Sequence, residues 1–433
     1  MTESKDSKIS PVFNLPPINQ DDIKAEAQAQ ISREPEPPVS AIELMLARSK
    51  DSLQAPSIIS WIISWIDSNF DVRTNSVTKT VEYRRIGAND PYQPVNENSF
   101  YIMMKLIQKV TIQDVKAVLG SEVIKVYDPF KNYFESLPTS IPGTIDRFCT
   151  YIETTNQERF RIQFTKWLVR VIACALEPKS FNKQILTLVS PVQGDGKSTL
   201  LRYLCPDELN NYYTESLSYN KDGEIALAQN FIINQDELAT FTKHDINAFK
   251  SFVSRDRVSV RHPYASKQTT DPRRASFVAS TNETQFLSDL TGSVRWLIFE
   301  IKRIKHKGIS PNDHYQMIPI DQVWAEAYSL YRDRNFKREM TGSEISENEN
   351  QNEKYHSTKP EYDYILKFCH PATDNTEILT ATEIRDNIIK LTDGACGNLN
   401  NVYIGQALNK LDYKKICERK NGNPVYGYRV SVY

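Results

Sequence analysis

Residues 186–204 constrain this chain more than any other stretch. Leu186-Thr187-Leu188-Val189 is an apolar, partly β-branched run of the kind that forms a buried strand. It passes through Ser190-Pro191-Val192 into Gln193-Gly194-Asp195-Gly196-Lys197-Ser198-Thr199, and Leu200-Leu201-Arg202-Tyr203-Leu204 then reads as the opening turns of a helix. Strand, glycine-containing loop and helix, in that order, are what a phosphate-binding loop requires. Gly194 and Gly196 let the backbone curl so that successive N–H groups converge on one anion. The helix N-terminus adds partial positive charge. Lys197 is placed to reach the β- and γ-phosphates of a nucleotide and the Ser198 hydroxyl to ligate Mg²⁺. The expected nucleotide-binding set is therefore Gln193, Gly194, Asp195, Gly196, Lys197, Ser198 and Thr199, with ATP and Mg²⁺ as cofactors. Pro191 stands where the usual GxxxxGK[ST] pattern has its first glycine.

The rest of the chain sets bounds on what surrounds this loop. Its 433 residues are too many for one small core and suggest roughly three domains. Hydrophobic residues make up 40% and charged residues 25%, as in ordinary globular proteins. No apolar run reaches the roughly 18 residues of a membrane span, so no membrane partner is expected. The first six residues, Met1 to Asp6, lack the apolar core of a secretory signal. Six scattered cysteines (149, 174, 205, 369, 396, 417) contain no CxxC pair, which fits a reducing cytoplasm and suggests neither a disulfide framework nor a zinc site. Six histidines contain no HxxxH or HExxH pair. A formal net charge of −1 means that any nucleic-acid contact has to come from local patches.

The expected organisation runs as follows. Residues 1–40 are polar and proline-studded and read as a disordered tail. Residues 41–140 read as a small α-rich domain: a buried helix with Ile58, Ile59, Trp61, Ile62, Ile63 and Trp65, a hairpin from Phe70 to Tyr83 turning at Thr74-Asn75-Ser76, and helices over 100–110 and 112–119. After a break at Pro142-Gly143, Phe160, Phe164, Trp167, Leu168, Val171 and Ile172 follow helical spacing and form a core stripe. This helix leads into the phosphate loop, and the nucleotide domain spans 141–335. Residues 336–360 read as a polar linker or helix. In 361–433, Thr380-Ala381-Thr382-Glu383 is a capping box before a helix with Ile384, Ile388 and Ile389; Asn401 to Leu411 is a second helix; and Lys414–Cys417 with Val425–Val430 form a hairpin. Helix, helix and hairpin within so short a span suggest a winged helix. No internal repeat is apparent.

Three further features accompany the loop. Asn230-Phe231-Ile232-Ile233-Asn234-Gln235-Asp236-Glu237 is an apolar strand ending in two acids, the arrangement of a Walker B strand. Asp236 is expected to hold Mg²⁺ and Glu237 to orient or activate the attacking water. Ala275 to Asn282 is a second buried strand with a polar end, and Asn282 sits where a sensor amide would meet the γ-phosphate or the lytic water. Arg295, in Gly292-Ser293-Val294-Arg295, stands at the mouth of another apolar strand; from spacing alone it reads as a surface arginine or a partner in an ion pair within the chain. Between the acids and Asn282 lies a basic segment, Lys250 to Lys267, followed by Arg273-Arg274. Val258 to Arg261 alternate like a strand, and Pro263-Tyr264-Ala265-Ser266 read as a hairpin tip. Arg255, Arg273 and Arg274 read as a solvated basic face, while Arg261, His262, Tyr264 and Lys267 are candidates to meet a DNA backbone and its bases.

Taken together, Gln193 to Thr199, Asp236-Glu237, the basic hairpin with Arg261 and Pro263-Tyr264, Ser280-Thr281-Asn282 and Gly292 to Arg295 resemble the virulence-associated protein E family, which is similar to the superfamily 3 helicases. Tyr127-Asp128-Pro129-Phe130 through Leu137-Pro138 also resemble the stretch before the motor in that family. The likeness covers 125–335 well and 57–125 more weakly. It implies an α/β fold, with a P-loop AAA+-type core, an N-terminal α-rich domain and a C-terminal winged helix. It further implies a homo-oligomeric ring, a hexamer, that hydrolyses ATP between subunits and moves on single-stranded or forked DNA. In that picture the catalytic set is Lys197, Asp236, Glu237, Asn282 and Arg295, with Arg295 reaching into the neighbouring subunit's site. Upstream of the motor there is no primase carboxylate cluster. The expected function is an ATP-dependent DNA helicase, translocase or replication initiator of a phage or mobile genetic element. The alternatives are a nucleotide-gated DNA-binding regulator and a defence or signalling ATPase.

Overall fold

The computed structural model describes residues 57–215, 217–236, 249–260, 269–287, 293–305, 318–356, 360–372, 377–420 and 423–433. The expected tail at 1–40 and the first residues of the expected N-terminal domain, 41–56, lie outside them. The described residues form two compact units, one of 57–74 with 80–126 and one of 75–79 with 127–433.

The first unit starts with α1 (Ile58–Asn69), whose N-cap Ser57 accepts from the Ser60 N–H at 3.1 Å. Then follow β1 (Phe70–Asn75), β2 (Val81–Arg85), β3 (Gln93–Pro94), α2 (Glu97–Lys105), α3 (Ile112–Leu119) and β4 (Lys125–Tyr127). The strands form a sheet in the order β3-β2-β1-β4, so this unit is mixed α and β where the sequence suggested mainly helix. Ile62, Ile66, Phe100, Met104 and Val115 fill its core. The hairpin pairs Phe70 with Arg85, so its second strand starts at Val81 instead of Val77. The cause is Asn75: its Oδ1 accepts from the Val77 and Thr78 N–H groups at 2.9 and 3.1 Å, a local turn that outcompetes strand pairing.

The second unit begins earlier than the sequence suggested. Residues α4 (Pro129–Ser136), read as the end of the N-terminal domain, bury Phe130, Tyr133 and Phe134 in the core of the second unit. α5 (Thr144–Cys149), β5 (Ile152–Thr154), α6 (Gln157–Leu176), β6 (Ile185–Val189), α7 (Lys197–Tyr203), β7 (Tyr213–Glu215), α8 (Lys221–Gln229) and β8 (Ile232–Gln235) follow. A short helical stretch at 249–253 precedes the hairpin strands β9 (Arg257–Val260) and β10 (Thr269–Pro272). β11 (Ser276–Thr281) and β12 (Trp296–Ile304) complete the sheet, and α9 (Ile320–Arg332) and α10 (Gly342–Asn352) follow.

Six strands form one sheet in the order β5-β12-β6-β11-β8-β7. β12, β6, β11, β8 and β7 are parallel, and β5 is an antiparallel edge. Every residue of β6, β8 and β11 is buried, as parallel strands covered on both faces require. Alternate residues serve opposite cores: Leu186 and Leu188 face the cluster that holds the α6 stripe, Ile185 and Val189 the cluster with Phe249 and Trp296. Phe160, Phe164, Trp167, Leu168, Val171 and Ile172 all lie in the first of these.

Of the two readings of 336–360, linker or helix, the helix is present, and two Asn side chains make it part of the core. Asn348 and Asn352 of α10 are fully buried. Asn348 Nδ2 donates to the Trp296 carbonyl at 3.0 Å, and Asn352 Nδ2 donates to the Ser293 and Trp296 carbonyls at 2.8 Å each. Beyond it come α11 (Pro360–Phe368), β13 (Cys369–Pro371), α12 (Ala381–Leu391), α13 (Asn401–Lys410), β14 (Lys415–Lys420), β15 (Asn423–Tyr428) and β16 (Val430–Val432). Ile365, Ile384, Ile388, Ile404, Leu408, Tyr428 and Val430 form their core. The Thr380–Glu383 capping box is present. Gly427 lies so close to Leu379 that a Cβ would fall 2.7 Å from its carbonyl oxygen, which explains why glycine occupies that point of the hairpin.

Candidate nucleotide-binding site

The register of the parallel strands brings the expected site residues to one end of the sheet. Val189 pairs with Thr281, and Ala279 pairs with Gln235. Ser190, Asn282 and Asp236, the next residues on each strand, therefore emerge side by side at the carboxyl edge, where ligands of open α/β sheets bind. A cavity of about 390 Å³ opens there, lined by Gln193 to Thr199, Asp236, Ser280, Thr281 and Asn282. Gly194 and Gly196 adopt φ of +75° and +84°, the left-handed conformation that the loop needs and that side-chain-bearing residues resist.

Lys197 is nearly buried, at 6% exposure. Its Nζ donates to Asp195 Oδ1 and Asn282 Oδ1 at 2.8 Å each, to the Val192 carbonyl at 3.2 Å and to the Ser190 carbonyl at 3.5 Å. Burying a cation costs free energy unless such partners surround it. The cavity thus joins residues 85 positions apart in the chain. Ser280 Oγ donates to Asp236 Oδ1 and so orients that carboxylate. Ser280 and Thr281 line the cavity as well, and the polar end of an otherwise apolar strand is their only signal in the sequence.

Arg295 is not among the cavity's lining residues. It closes the short 3₁₀ turn Ser293–Arg295, and its Nε donates to Ser254 Oγ at 3.0 Å. The carbonyls held by Asn352 and Asn348 flank this turn. Arg159 Nη1 also bonds the Ile298 carbonyl at 3.0 Å. The start of β12 is fixed by these buried polar side chains from α6 and α10. Glu237 and the four candidate DNA contacts Arg261, His262, Tyr264 and Lys267 lie outside the described residues.

The three arginines read as a solvated face are not one. Arg273 is fully buried at the end of β10. Its Nε donates to the Ala275 carbonyl at 2.8 Å and its Nη2 to the Asn182 carbonyl at 2.9 Å, while Nη1 bonds the Val253 carbonyl. Burial pulls its pKa below the ordinary arginine value. Arg274 Nη1 donates to Asp128 Oδ2 at 2.7 Å, and Asp128 caps α4. Arg255 is ion-paired with Glu224 of α8. The base of the β9–β10 hairpin is thereby tied to α4, α8 and the segments that lead into β6 and β11. Charge in the sequence suggested solvent; the chain reversal into the core supplied carbonyl partners instead.

Among the described residues no group of three or more His, Cys, Asp or Glu side chains could hold a metal ion, and no helix is long and apolar enough to cross a membrane. All six cysteines are free.

A mostly parallel sheet with a glycine loop at its carboxyl edge and a buried lysine in the cavity makes an α/β protein with which a phosphate-loop core is consistent. The Virulence-associated protein E-like domain matches residues 140–357, and the chain belongs to that family. No curated protein matches it. Among solved structures it is similar to the apo structure of the NrS-1 C-terminal region (305-718), at 11% identity and a TM-score of 0.46, over 86% of this chain and 99% of that one. The A form of the same region gives 11% identity and a TM-score of 0.45, over 88% and 100%.

Proposed function

We propose that this cavity binds ATP with Mg²⁺ and that the chain is an ATP-hydrolysing DNA motor, a helicase, translocase or replication initiator of a phage or mobile genetic element. One observation carries the reading: Lys197 and Ser198 at the start of the helix after β6, with Asp236 and Asn282 directly after β8 and β11, line a single cavity. The donor set suits the cofactor. A serine hydroxyl and a carboxylate are the hard oxygen ligands that Mg²⁺ takes, and glycine-loop N–H groups suit phosphate oxygens.

In this reading Lys197 neutralises the phosphates, Ser198 and Asp236 hold the ion, and Asn282 touches the γ-phosphate or the attacking water. Glu237 orients that water. The β-strand order, with β11 between the strands of Lys197 and Asp236, suits an AAA+-type core of the superfamily 3 kind. Identical subunits would form a ring, a hexamer, in which Arg295 reaches the neighbour's nucleotide. Its place on a turn braced by Asn352, away from its own cavity, is compatible with that part. Single-stranded or forked DNA would pass the β9–β10 hairpin, and α12, α13 and the β14–β15 hairpin would act as a winged helix.

The test is ATP hydrolysis by the purified chain with and without single-stranded DNA, in wild type, Lys197→Ala and Asp236→Asn. Hydrolysis that rises with DNA and vanishes in both variants is expected. Undiminished hydrolysis in both removes the assignment. Arg295→Ala should lose turnover while still binding nucleotide.

The C-terminal helices favour a second reading, a nucleotide-gated DNA-binding regulator. Lys414, Lys415 and Arg419 are exposed on or beside β14, and Tyr426 is 60% exposed on β15. Removing 361–433 separates the two readings. A motor keeps DNA-stimulated hydrolysis, whereas a regulator loses every effect of DNA.

A further inference from the structure

Asp195 is an anion inside a cavity read as a cradle for anions. Its side chain is 13% exposed and that of Lys197 6%, and the two meet at 2.8 Å. Gly196 lies between them, and its φ of +84° turns the backbone there. An ammonium has three protons, and that of Lys197 is shared among Asp195, Asn282 and the Val192 and Ser190 carbonyls. A phosphate oxygen can reach Lys197 only by displacing one of these acceptors. Asp195 is the single charged group of the four. A phosphate drawing on the same ammonium would therefore stand close to a carboxylate, in a site where solvent screens little.

We propose that Asp195 is a built-in competitor for Lys197, which yields the lysine to a bound nucleotide and reclaims it as the product leaves. The inference rests on the nucleotide reading above and deepens it, because it assigns Asp195 a part in release instead of in holding. Asparagine at this position keeps the size and one acceptor for Lys197 and removes the charge, exchanging one carboxylate oxygen for an NH₂ donor; alanine removes the charge without adding a donor. Nucleotide should then stay longer. The opposite role, a carboxylate that helps to hold the ion's waters, predicts the opposite sign.

The experiment is stopped-flow release of the fluorescent nucleotide mant-ADP, with Mg²⁺, from full-length wild type, Asp195→Asn, Asp195→Ala and Lys197→Ala. Release from Asp195→Asn is expected to be about tenfold slower than from wild type, with a Kd about tenfold lower. Asp195→Ala should also release more slowly, since it too lacks the charge. If wild type binds mant-ADP and Asp195→Asn releases it as fast or faster, the competitor role is wrong while the nucleotide reading stands. If wild type binds no mant-ADP, the nucleotide reading fails and this inference with it.

Discussion

Two nearly dry cations, Lys197 and Arg273, sit in one domain and do different things. Lys197 is held by a carboxylate, an amide and two carbonyls at the mouth of a cavity. Arg273 is held by backbone carbonyls from three segments and is fully buried. Partners on mobile side chains can be exchanged for a ligand's oxygens. Carbonyls fixed by the backbone cannot, and a planar guanidinium with five donors suits such a cage better than an ammonium does. The difference separates a cation proposed to serve chemistry from one that serves architecture, although both were equally polar letters in the sequence.

Substitutions can break that contrast. The largest effect is expected at the cavity. Lys197→Ala should lower ATP turnover by about a thousandfold, roughly 4 kcal/mol of barrier, and leave the urea midpoint nearly unchanged. A large fall in that midpoint would make Lys197 architectural as well. Next, Arg273→Met should lower unfolding free energy by about 3 kcal/mol, read by urea denaturation, because several buried carbonyls lose their donor. Wild-type stability with lost hydrolysis would reverse the assignment of the two cations.

A smaller change sharpens the picture of the cavity. Ser280→Ala removes one hydrogen bond that orients the Asp236 carboxylate and should cost about 1 kcal/mol, seen as a severalfold rise in the Mg²⁺ concentration for half-maximal hydrolysis. An unchanged Mg²⁺ dependence would mean that Asp236 is oriented by other groups.

The smallest effect is expected from His356, which follows α10. Burial, and after it the charge of Lys410, holds its pKa below the ordinary 6.5. The unfolded chain therefore binds the proton more readily. The stabilisation by the neutral ring is complete above the unfolded value and is lost as pH falls through the folded one. Thermal stability should fall slightly on acidification below neutrality, and His356→Asn should flatten that slope. An identical slope in the variant would place the titration elsewhere.

Much of the site was legible because its signals are local. The apolar run at Leu186, the glycines at 194 and 196 and the capping box at Thr380 each act within a few residues, and strand, loop and helix follow from them. The core stripe of α6 was equally plain, since helical spacing repeats along the chain. One expectation failed for a tertiary reason. Arg273 carries a polar side chain that sequence alone assigns to solvent, and it is buried because carbonyls from distant segments converge on it; the same convergence buries Asn352 on the polar helix that 336–360 offered as one of its two readings. The boundary between the units was missed likewise: Phe130 and Phe134 look like core anywhere, and only contact decides whose core they join.

The sequence by itself determined the strand, loop and helix of the phosphate loop, the polar ends of the two neighbouring strands and the capped helices near the C-terminus, because short-range torsional and hydrogen-bonding preferences encode them. Tertiary structure alone decided that Asn282 lies beside Lys197, that Ser280 steers Asp236 and that Arg273 is a buried anchor. Those facts depend on strand order and register, which arise when chain segments far apart in sequence compete to bury the same apolar faces.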